Sequence, residues 1–458
     1  MAKTTTQWLV REPAFYKTLL MLAVPMALQS LLSVSVGLAD SIMVGQIDER
    51  AMAGVMVANQ VQHILTFLVM GISAALVIIA AQYWGKGDTN SVKDLVAIGL
   101  KIALGISLAV SLIVLLFPAQ VLRIFTNDPG PIAEGVRYIR IIAFSYVFFC
   151  LTQILMGAMR CVEVVKIGIA VSLSTLIVSV TGNYLLIFGN WGFPELGIQG
   201  AAIATLTARV MEAVIMVVYV RFIDKRLKLR VTELLRTNKQ LLKDFFRHGL
   251  PVMFGDISWG MIGVIKVSIL GRLGESVMAA NNVSVVLYSV ITVMVWSTSG
   301  ASGVIIGKTV GAQDYDRVKQ YARTMQVLFV CLGLLAGLTL FSLRDIVISW
   351  YNFYEQTQIY ARQFMTILSV SVIFTSYHAP CFTGIIRAGG DTKFVFIVDT
   401  IVSWCFVLPL AALAAFVFNA PPWVVFLCIF SDQFYKWIIA FIKTNRFKWI
   451  INLTREVE

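Results

Sequence analysis

Apolar runs of about 20 residues or more alternate along the chain with short polar breaks. They fall near 17–42, 53–82, 95–117, 136–158, 167–189, 198–221, 249–270, 279–306, 319–342, 359–385, 394–418 and 423–442. At 1.5 Å rise per residue, each can cross about 30 Å of hydrocarbon as a helix. A barrel strand would alternate apolar and polar over about ten residues, whereas these runs are apolar throughout. The pattern predicts an all-α polytopic membrane protein with twelve transmembrane helices. One long polar interruption, Asp224–His248, carries Leu227, Leu234, Leu235, Leu241, Leu242, Phe245 and Phe246 among its charges. It fits a basic amphipathic helix lying on the inner leaflet.

That interruption divides the chain almost in half, and the halves repeat. A shift of 226 places Pro25 on Pro251, Gly37 on Gly263, Gly45 on Gly271, Ser73 on Ser299, Gly85 on Gly311 and Asp88 on Asp314. Met52-Ala53 falls on Met278-Ala279, and Val92-Lys93 on Val318-Lys319. Later the shift is 227, and Gly157-x-x-Arg160-x5-Lys166 falls on Gly384-x-x-Arg387-x5-Lys393. Six spans per half keep the copies in the same orientation, related by an axis along the membrane normal. The expected organisation is a segment 1–16, an N-lobe 17–221, an amphipathic linker 222–248, a C-lobe 249–442 and a tail 443–458. The two pseudosymmetric six-helix lobes would face each other around a central cleft.

Composition agrees with this reading. Of 458 residues, 58% are hydrophobic and 14% charged, against about 45–50% and about 25% in soluble proteins. A soluble enzyme, a nucleic-acid module and a disordered scaffold are thereby excluded. The net charge of +12 would suggest an anionic partner in a soluble chain, but here it reports topology. With the N-terminus inside, 27 of the 37 Lys and Arg lie on the inner side, nine of them between Arg221 and Arg247. Seven lie outside, and Arg209, Lys266 and Lys436 fall within spans. That bias places both termini in the cytoplasm of a multi-pass protein of the inner (plasma) membrane. The six cysteines lack a C-x-x-C spacing and read as small hydrophobes.

Four segments carry a family resemblance that covers nearly the whole chain. Pro25-Met26-Ala27-Leu28-Gln29 opens span 1, which ends in Asp40-x-x-Met43-Val44-Gly45. Ala80-Ala81-Gln82-Tyr83-Trp84-Gly85-Lys86-Gly87-Asp88 follows span 2. Gly192-Phe193-Pro194-Glu195-Leu196-Gly197-Ile198-Gln199-Gly200-Ala201-Ala202-Ile203-Ala204-Thr205 joins spans 5 and 6. Arg387-Ala388-Gly389-Gly390-Asp391-Thr392-Lys393 follows span 10. With the twofold repeat, these segments resemble the bacterial multidrug and toxic compound extrusion (MATE) family. The resemblance implies a secondary antiporter that exports organic, often cationic compounds in exchange for H⁺ or Na⁺ by rocking two lobes. An alternative is a flippase or exporter of a lipid-linked or anionic metabolite with the same two-lobe fold.

Charges that break the apolar rule are the candidates for chemistry. A carboxylate within a bilayer costs about 2.5–3.5 kcal/mol on insertion scales, so Asp40 needs a polar cavity and a proton or cation to bind. Pro25, fifteen residues earlier, and Pro251 in the second half each remove a backbone donor and permit a bend. The resemblance assigns ion coupling to Asp40, completed by Asn183 and Thr205, whose neutral oxygens suit Na⁺ or can hold a carboxylate. Family members often carry a second Asp one turn after the Asn. Here Ile187 stands in that place, which favours H⁺ slightly over Na⁺. In the second half, Asp256 lies five residues after Pro251, while the common family Glu eight residues after the proline is replaced by Trp259. Asp256, Lys266 (the repeat partner of Asp40) and Asp399 are substrate- or ion-binding candidates. A buried ion pair is the plainer reading of Asp256. Lys266 can equally partner a buried acid or reach to the outer surface.

Arg209/Glu212 and Asp432/Lys436 sit at i,i+3 and i,i+4 and read as self-neutralising pairs. Abundant aromatic and Met residues can line a cation pocket. Ser302-Gly303-Val304-Ile305-Ile306-Gly307-Lys308-Thr309 nearly matches a phosphate-binding loop, but it lacks the first glycine and ends a span instead of following a strand. His63, His248 and His378 show no ligand spacing. An intramembrane enzyme would need a paired acid, a His cluster or a Ser/His set, and none is evident. The expectation is a monomeric, non-enzymatic transporter of organic small molecules. It would have no cofactor, no nucleic-acid partner and no metal beyond a possible Na⁺ at Asp40.

Overall fold

A computed structural model describes residues 9–234 and 238–455. Within these residues the chain is nearly all helical: α1 Pro13–Gly45, α2 Glu49–Lys86, α3 Thr89–Leu116, α4 Pro118–Arg123, α5 Pro129–Ile142, α6 Ser145–Cys161, α7 Lys166–Leu186, α8 Ile198–Val218, α9 Val231–Leu234, α10 Lys239–Gly271, α11 Glu275–Gly311, α12 Tyr315–Ser349, α13 Glu355–Pro380, α14 Thr392–Thr400, α15 Leu408–Ala412, α16 Pro422–Ile429 and α17 Asp432–Arg446. Eleven helical stretches of the described chain are long and apolar enough to cross a membrane. A twelfth span forms if α5 and α6, bent by 54° across a short break, count as one. That broken span is the one expected near 136–158.

Several helices outrun their apolar cores. The 38 residues of α2 extend about 57 Å at 1.5 Å each, well beyond the hydrocarbon thickness. Polar termini such as Glu49 and Lys86 therefore lie past the apolar section. Three of the π-helical stretches lie beside prolines. Pro380 ends α13 and precedes a π-helical stretch, Cys381–Ile386. Pro409 opens α15 between π-helical stretches Ile401–Val407 and Leu413–Val417. A proline cannot donate to the preceding turn, and single wide turns inside helices occur where the regular ladder is interrupted.

The repeated loop charges are helix caps. Asp88 accepts from the Ser91 amide at the start of α3, and Asp314 from the Arg317 amide at the start of α12. Asp391 does the same for Phe394 at the start of α14. Each cap satisfies one orphan donor and contributes about 1 kcal/mol.

The described chain forms two compact units. One comprises Leu28–Ala80 and Asp88–Met253 and is called here the N-unit. The other, the C-unit, comprises Met1–Ala27 (described from Leu9), Ala81–Gly87 and Phe254–Glu458. The units are thus not contiguous in sequence. Each of α1 and α10 passes from one unit to the other two residues after its internal proline, Pro25 or Pro251. In the N-unit, α7 packs along α8, and α3 along α6. In the C-unit, α13 packs against both α11 and α12. A buried cluster there includes Phe364, Leu368 and Phe426, the rings of Phe364 and Phe426 stacking at 4.0 Å.

The polar linker departs from a single amphipathic helix. A turn follows Asp224, whose carboxylate accepts the amides of Arg226, Leu227 and Lys228. Then comes the one-turn α9, and from Lys239 onward the chain already belongs to α10. Leu227, Leu241 and Phe245 are buried within protein, leaving Phe246 exposed. Leu235 lies outside the described residues. Tertiary burial takes up the apolar side chains that a leaflet would otherwise receive.

Glu233 ties α9 to α3 through Lys93 at 2.9 Å and accepts the Arg230 amide. Burial works against ionisation of Glu233, but the Lys93 hydrogen bond, the Arg230 amide and the nearby cationic charges outweigh it. The carboxyl is held below its usual range. A depressed carboxyl stabilises the fold above its unfolded-state value and loses that contribution as pH falls through the folded-state value. The tether should hold at neutral pH and loosen only in acid, below the ordinary glutamate range. Glu233→Gln should expose the 224–234 segment to limited proteolysis at pH 7, and the rise in cleavage expected of the parent chain in acid should be absent from the variant.

Candidate ion-coupling site

The N-unit assembles a polar site around Asp40 on α1. Ser179 Oγ donates to Asp40 Oδ1 at 2.8 Å, and Asn183 Nδ2 donates to the same oxygen at 2.6 Å. Ser179 and Asn183 are one turn apart on α7, so both face α1, and each is only 1% exposed. Asn183 Oδ1 is buried without a hydrogen-bond partner. Among the described residues, no Lys or Arg forms an ion pair with Asp40.

The loop before α8 sets the facing side. Gly189, Gly192 and Gly197 all have positive φ, and the Leu196 amide returns to the Leu186 carbonyl at 2.9 Å. A tight hairpin results. A Cβ at Gly182 would sit 2.8 Å from the Ala204 Cβ, so glycine lets α7 and α8 approach beside Asn183 and Thr205. Thr205 does not hydrogen-bond Asp40. Its hydroxyl proton goes to the Ala201 carbonyl at 3.0 Å, and the buried Tyr138 of α5 lies nearby. Tyr138 lies close enough to Asp40 to feel its charge. Arg209 is near both groups but is committed elsewhere. It places one guanidinium nitrogen 3.1 and 3.0 Å from the two Glu212 oxygens and lies over the Phe149 ring. Glu212 also accepts from Thr175 at 2.6 Å. Of the three charges, Arg209 and Glu212 cancel, and Asp40 is left with one uncompensated negative charge.

The C-unit gathers its candidates differently. Asp256 pairs with Arg387 at 3.0 Å, the buried ion pair that was the plainer expectation. Lys266 lies 3.7 Å from Asp432 and over the Phe430 ring. Lys436 bridges Asp432 at 3.2 Å and Asp399 at 3.0 Å. Lys266 and Asp399, separate candidates in sequence, thus belong to one network with the i,i+4 pair. Gln433 Nε2 donates to Asp432, and its carbonyl accepts from Thr375 at 2.7 Å and His378 Nε2 at 2.5 Å. Among the described residues, no group of three or more His, Cys, Asp or Glu could hold a metal ion.

Ser179, Tyr138 and Arg387 were not among the expected site residues. Ser179 was within reach of sequence reasoning, since it precedes Asn183 by one helical turn. Arg387 stood in a recognised motif, and a buried Asp256 demands a cation. Nothing in the sequence links Tyr138 to Asp40, because three connections separate them.

Breaking the Asp256–Arg387 pair on one side leaves a buried charge uncompensated, which costs about 3–5 kcal/mol. Arg387→Gln should lower thermal stability in detergent accordingly. Asp256→Asn combined with Arg387→Gln should recover most of the loss, and the recovery is read as a coupling in a double-mutant cycle.

A multi-pass helical protein with an internal repeat and a charged site inside the bundle is a membrane transporter in architecture. The sequence model of the MatE family matches residues 25–185 and again 251–413, once in each half. The chain belongs to this family, the MATE transporters. It is 22% identical over 438 residues to the uncharacterized transporter YisQ of Bacillus subtilis, covering 93% of each protein. It is 24% identical over 415 residues to the multidrug resistance protein NorM of Photobacterium profundum, covering 89% of each. The solved MATE transporter VcmN of Vibrio cholerae, in a mutant form, superposes with TM-score 0.87 at 17% identity over 96% of this chain and 98% of that one. An outward-facing multidrug resistance MATE transporter superposes with TM-score 0.85 at 16% identity, covering 97% and 98%. The fold, two lobes of membrane-spanning helices, is therefore that of the family.

Proposed function

We propose that the protein is a secondary antiporter of the plasma membrane, with both termini cytoplasmic. It exports organic, often cationic small molecules in exchange for one monovalent cation held at Asp40. The observation that carries this reading is the Asp40 carboxylate: two donors converge on Oδ1, no cationic partner is present among the described residues, and the Asn183 carbonyl beside it is unsatisfied. A buried carboxylate in that condition gains by taking up a proton or cation. Both donors address Oδ1, so Oδ2 is the oxygen available to the ion. When Oδ2 takes the ion, Oδ1 loses charge and its hydrogen bonds to α7 weaken. Ion occupancy thereby changes how firmly α1 is held on α7, at a point fifteen residues beyond the bend that Pro25 permits. That linkage is the means by which an ion gradient would bias two states of the lobes. The single carboxylate, with Ile187 in place of a second, favours H⁺. Resemblance to NorM, named for multidrug resistance, supports drugs as cargo.

The decisive experiment uses purified full-length protein in sealed vesicles, with ΔpH and ΔNa⁺ imposed separately and efflux of a fluorescent organic cation recorded. Efflux should follow ΔpH. Efflux driven by ΔNa⁺ alone would overturn the proton assignment, and efflux indifferent to both gradients would overturn the antiport reading.

A further inference from the structure

The 227-residue register extends past the segments that first showed it. It places Pro194 on Pro421, Thr205 on Asp432, Arg209 on Lys436 and Ala213 on Ala440. The C-unit network therefore occupies the same place in its half as the Asp40 site does in the N-unit. The parallel concerns the end of the first span and the start of the last; the α7 donors Ser179 and Asn183 fall on the apolar Phe406 and Leu410. The contents are exchanged: Asp40 becomes Lys266, Thr205 becomes Asp432, and a basic residue is kept at Arg209 and Lys436.

The charge balance then differs by one unit. In the N-unit, Arg209 and Glu212 cancel and Asp40 remains. In the C-unit, Lys266 and Lys436 face Asp432 and Asp399 and the total is zero. The other titratable groups facing the cluster are His378, whose Nδ1 has no hydrogen-bond partner, and Tyr288, which donates to Thr375 at 3.2 Å. Asp432 and Lys436 are each 5% exposed, so an uncompensated charge among them would be costly.

We infer that the Lys266 ammonium is a tethered substitute for the coupling cation. It permanently fills the C-unit counterpart of the Asp40 site and limits the transporter to one exchangeable cation per cycle. The inference rests on reading Asp40 as the ion-binding carboxylate, and it makes Lys266 a determinant of stoichiometry. An ammonium group 3.7 Å from a carboxylate and over an aromatic ring supplies the positive charge that a bound cation would supply, and its four-carbon stem prevents release. Removing it should leave a buried cluster of net charge −1, the condition of the N-unit site.

The test counts cations bound per chain in the purified full-length protein as the sum of ²²Na⁺ bound at equilibrium and site H⁺, the latter taken as the difference in acid-pulse uptake from Asp40→Asn, so that the titrating groups common to all variants cancel. The parent chain should bind one and Asp40→Asn none. Lys266→Gln should bind two, and Lys266→Gln with Asp40→Asn should bind one. Lys266→Arg, which keeps the cation, and the neutral pair Lys266→Gln with Asp432→Asn should each stay at one. If Lys266→Gln does not fold, the cluster reduced to Asp432 by Lys266→Gln, Lys436→Gln and Asp399→Asn again carries −1 and should bind the second cation. A folded Lys266→Gln or Asp432-only variant that still binds one cation overturns the inference. A parent chain that binds none refutes the Asp40 reading instead, while one cation in the Asp40→Asn, Lys266→Gln variant would still sustain the role of Lys266.

Discussion

Asp40→Asn should reduce gradient-driven efflux to the level of protein-free vesicles while the protein remains folded. The replacement is nearly isosteric and still presents an oxygen to Ser179 and Asn183, whose donors converge within 2.6–2.8 Å of Oδ1. What disappears is the charge. A neutral amide has no proton to exchange and attracts Na⁺ far less than a carboxylate does, so the differential binding that couples ion to conformation vanishes. Binding of a fluorescent substrate to the detergent-solubilised variant should persist, because the substitution leaves a neutral side chain of the same shape. Unchanged ion-driven efflux in Asp40→Asn would sink this role for Asp40. Loss of folding, read by size-exclusion chromatography, would show instead that the carboxylate is structural.

Alanine at Gly85 or Gly311 should lower stability by forcing backbone apart from backbone. The two glycines are repeat partners, as are Gln82 and Lys308, and the structure turns that sequence relation into one contact. A Cβ at Gly85 would overlap the Lys308 carbonyl, and a Cβ at Gly311 the Gln82 carbonyl. The ends of α2 and α11 in the C-unit thus cross backbone to backbone, with no side chain able to move aside. Overpacking in a tight core costs about 1–3 kcal/mol, and contact with backbone places both substitutions at the upper end. Gly105→Ala, where nothing lies within 4 Å, should be neutral or gain up to about 1 kcal/mol from helix propensity. Melting temperatures in detergent should therefore fall for Gly85→Ala and Gly311→Ala and hold or rise for Gly105→Ala. The double variant should lose less than the sum, since both glycines serve a single crossing. Equal melting points for all three would refute the backbone crossing.

The family motifs acquire physical reasons in the same region. Gly390 has positive φ, and any side chain at Gly389 would collide with the buried Trp449 ring. Gln82 donates to the Ala388 carbonyl at 3.0 Å and accepts the Leu453 amide at 2.7 Å. The motifs that follow spans 2 and 10 thus fasten the start of the C-terminal tail within the C-unit.

The sequence by itself determined the number and placement of spans, the twofold repeat and Asp40 as the carboxylate that needs an explanation. These properties are one-dimensional. Hydrocarbon thickness sets the length of an apolar run, a duplicated chain keeps its glycines and caps in register, and a charge in an apolar run is visible wherever it falls. The choice of partners was decided only by tertiary structure. Which cation meets Asp256, whether Lys266 stands alone or joins Asp432, Lys436 and Asp399, and that Tyr138 comes near Asp40 all depend on which helix faces pack together. Segments far apart along the chain become neighbours only then. Apolar patterning fixes that a helix is buried but not what its few polar groups will find there, and the electrostatics of buried groups is governed by those neighbours. For the same reason Asp40 and Lys266, equivalent in the repeat, end in opposite conditions: one is left with a charge to share with an ion, the other already supplies one.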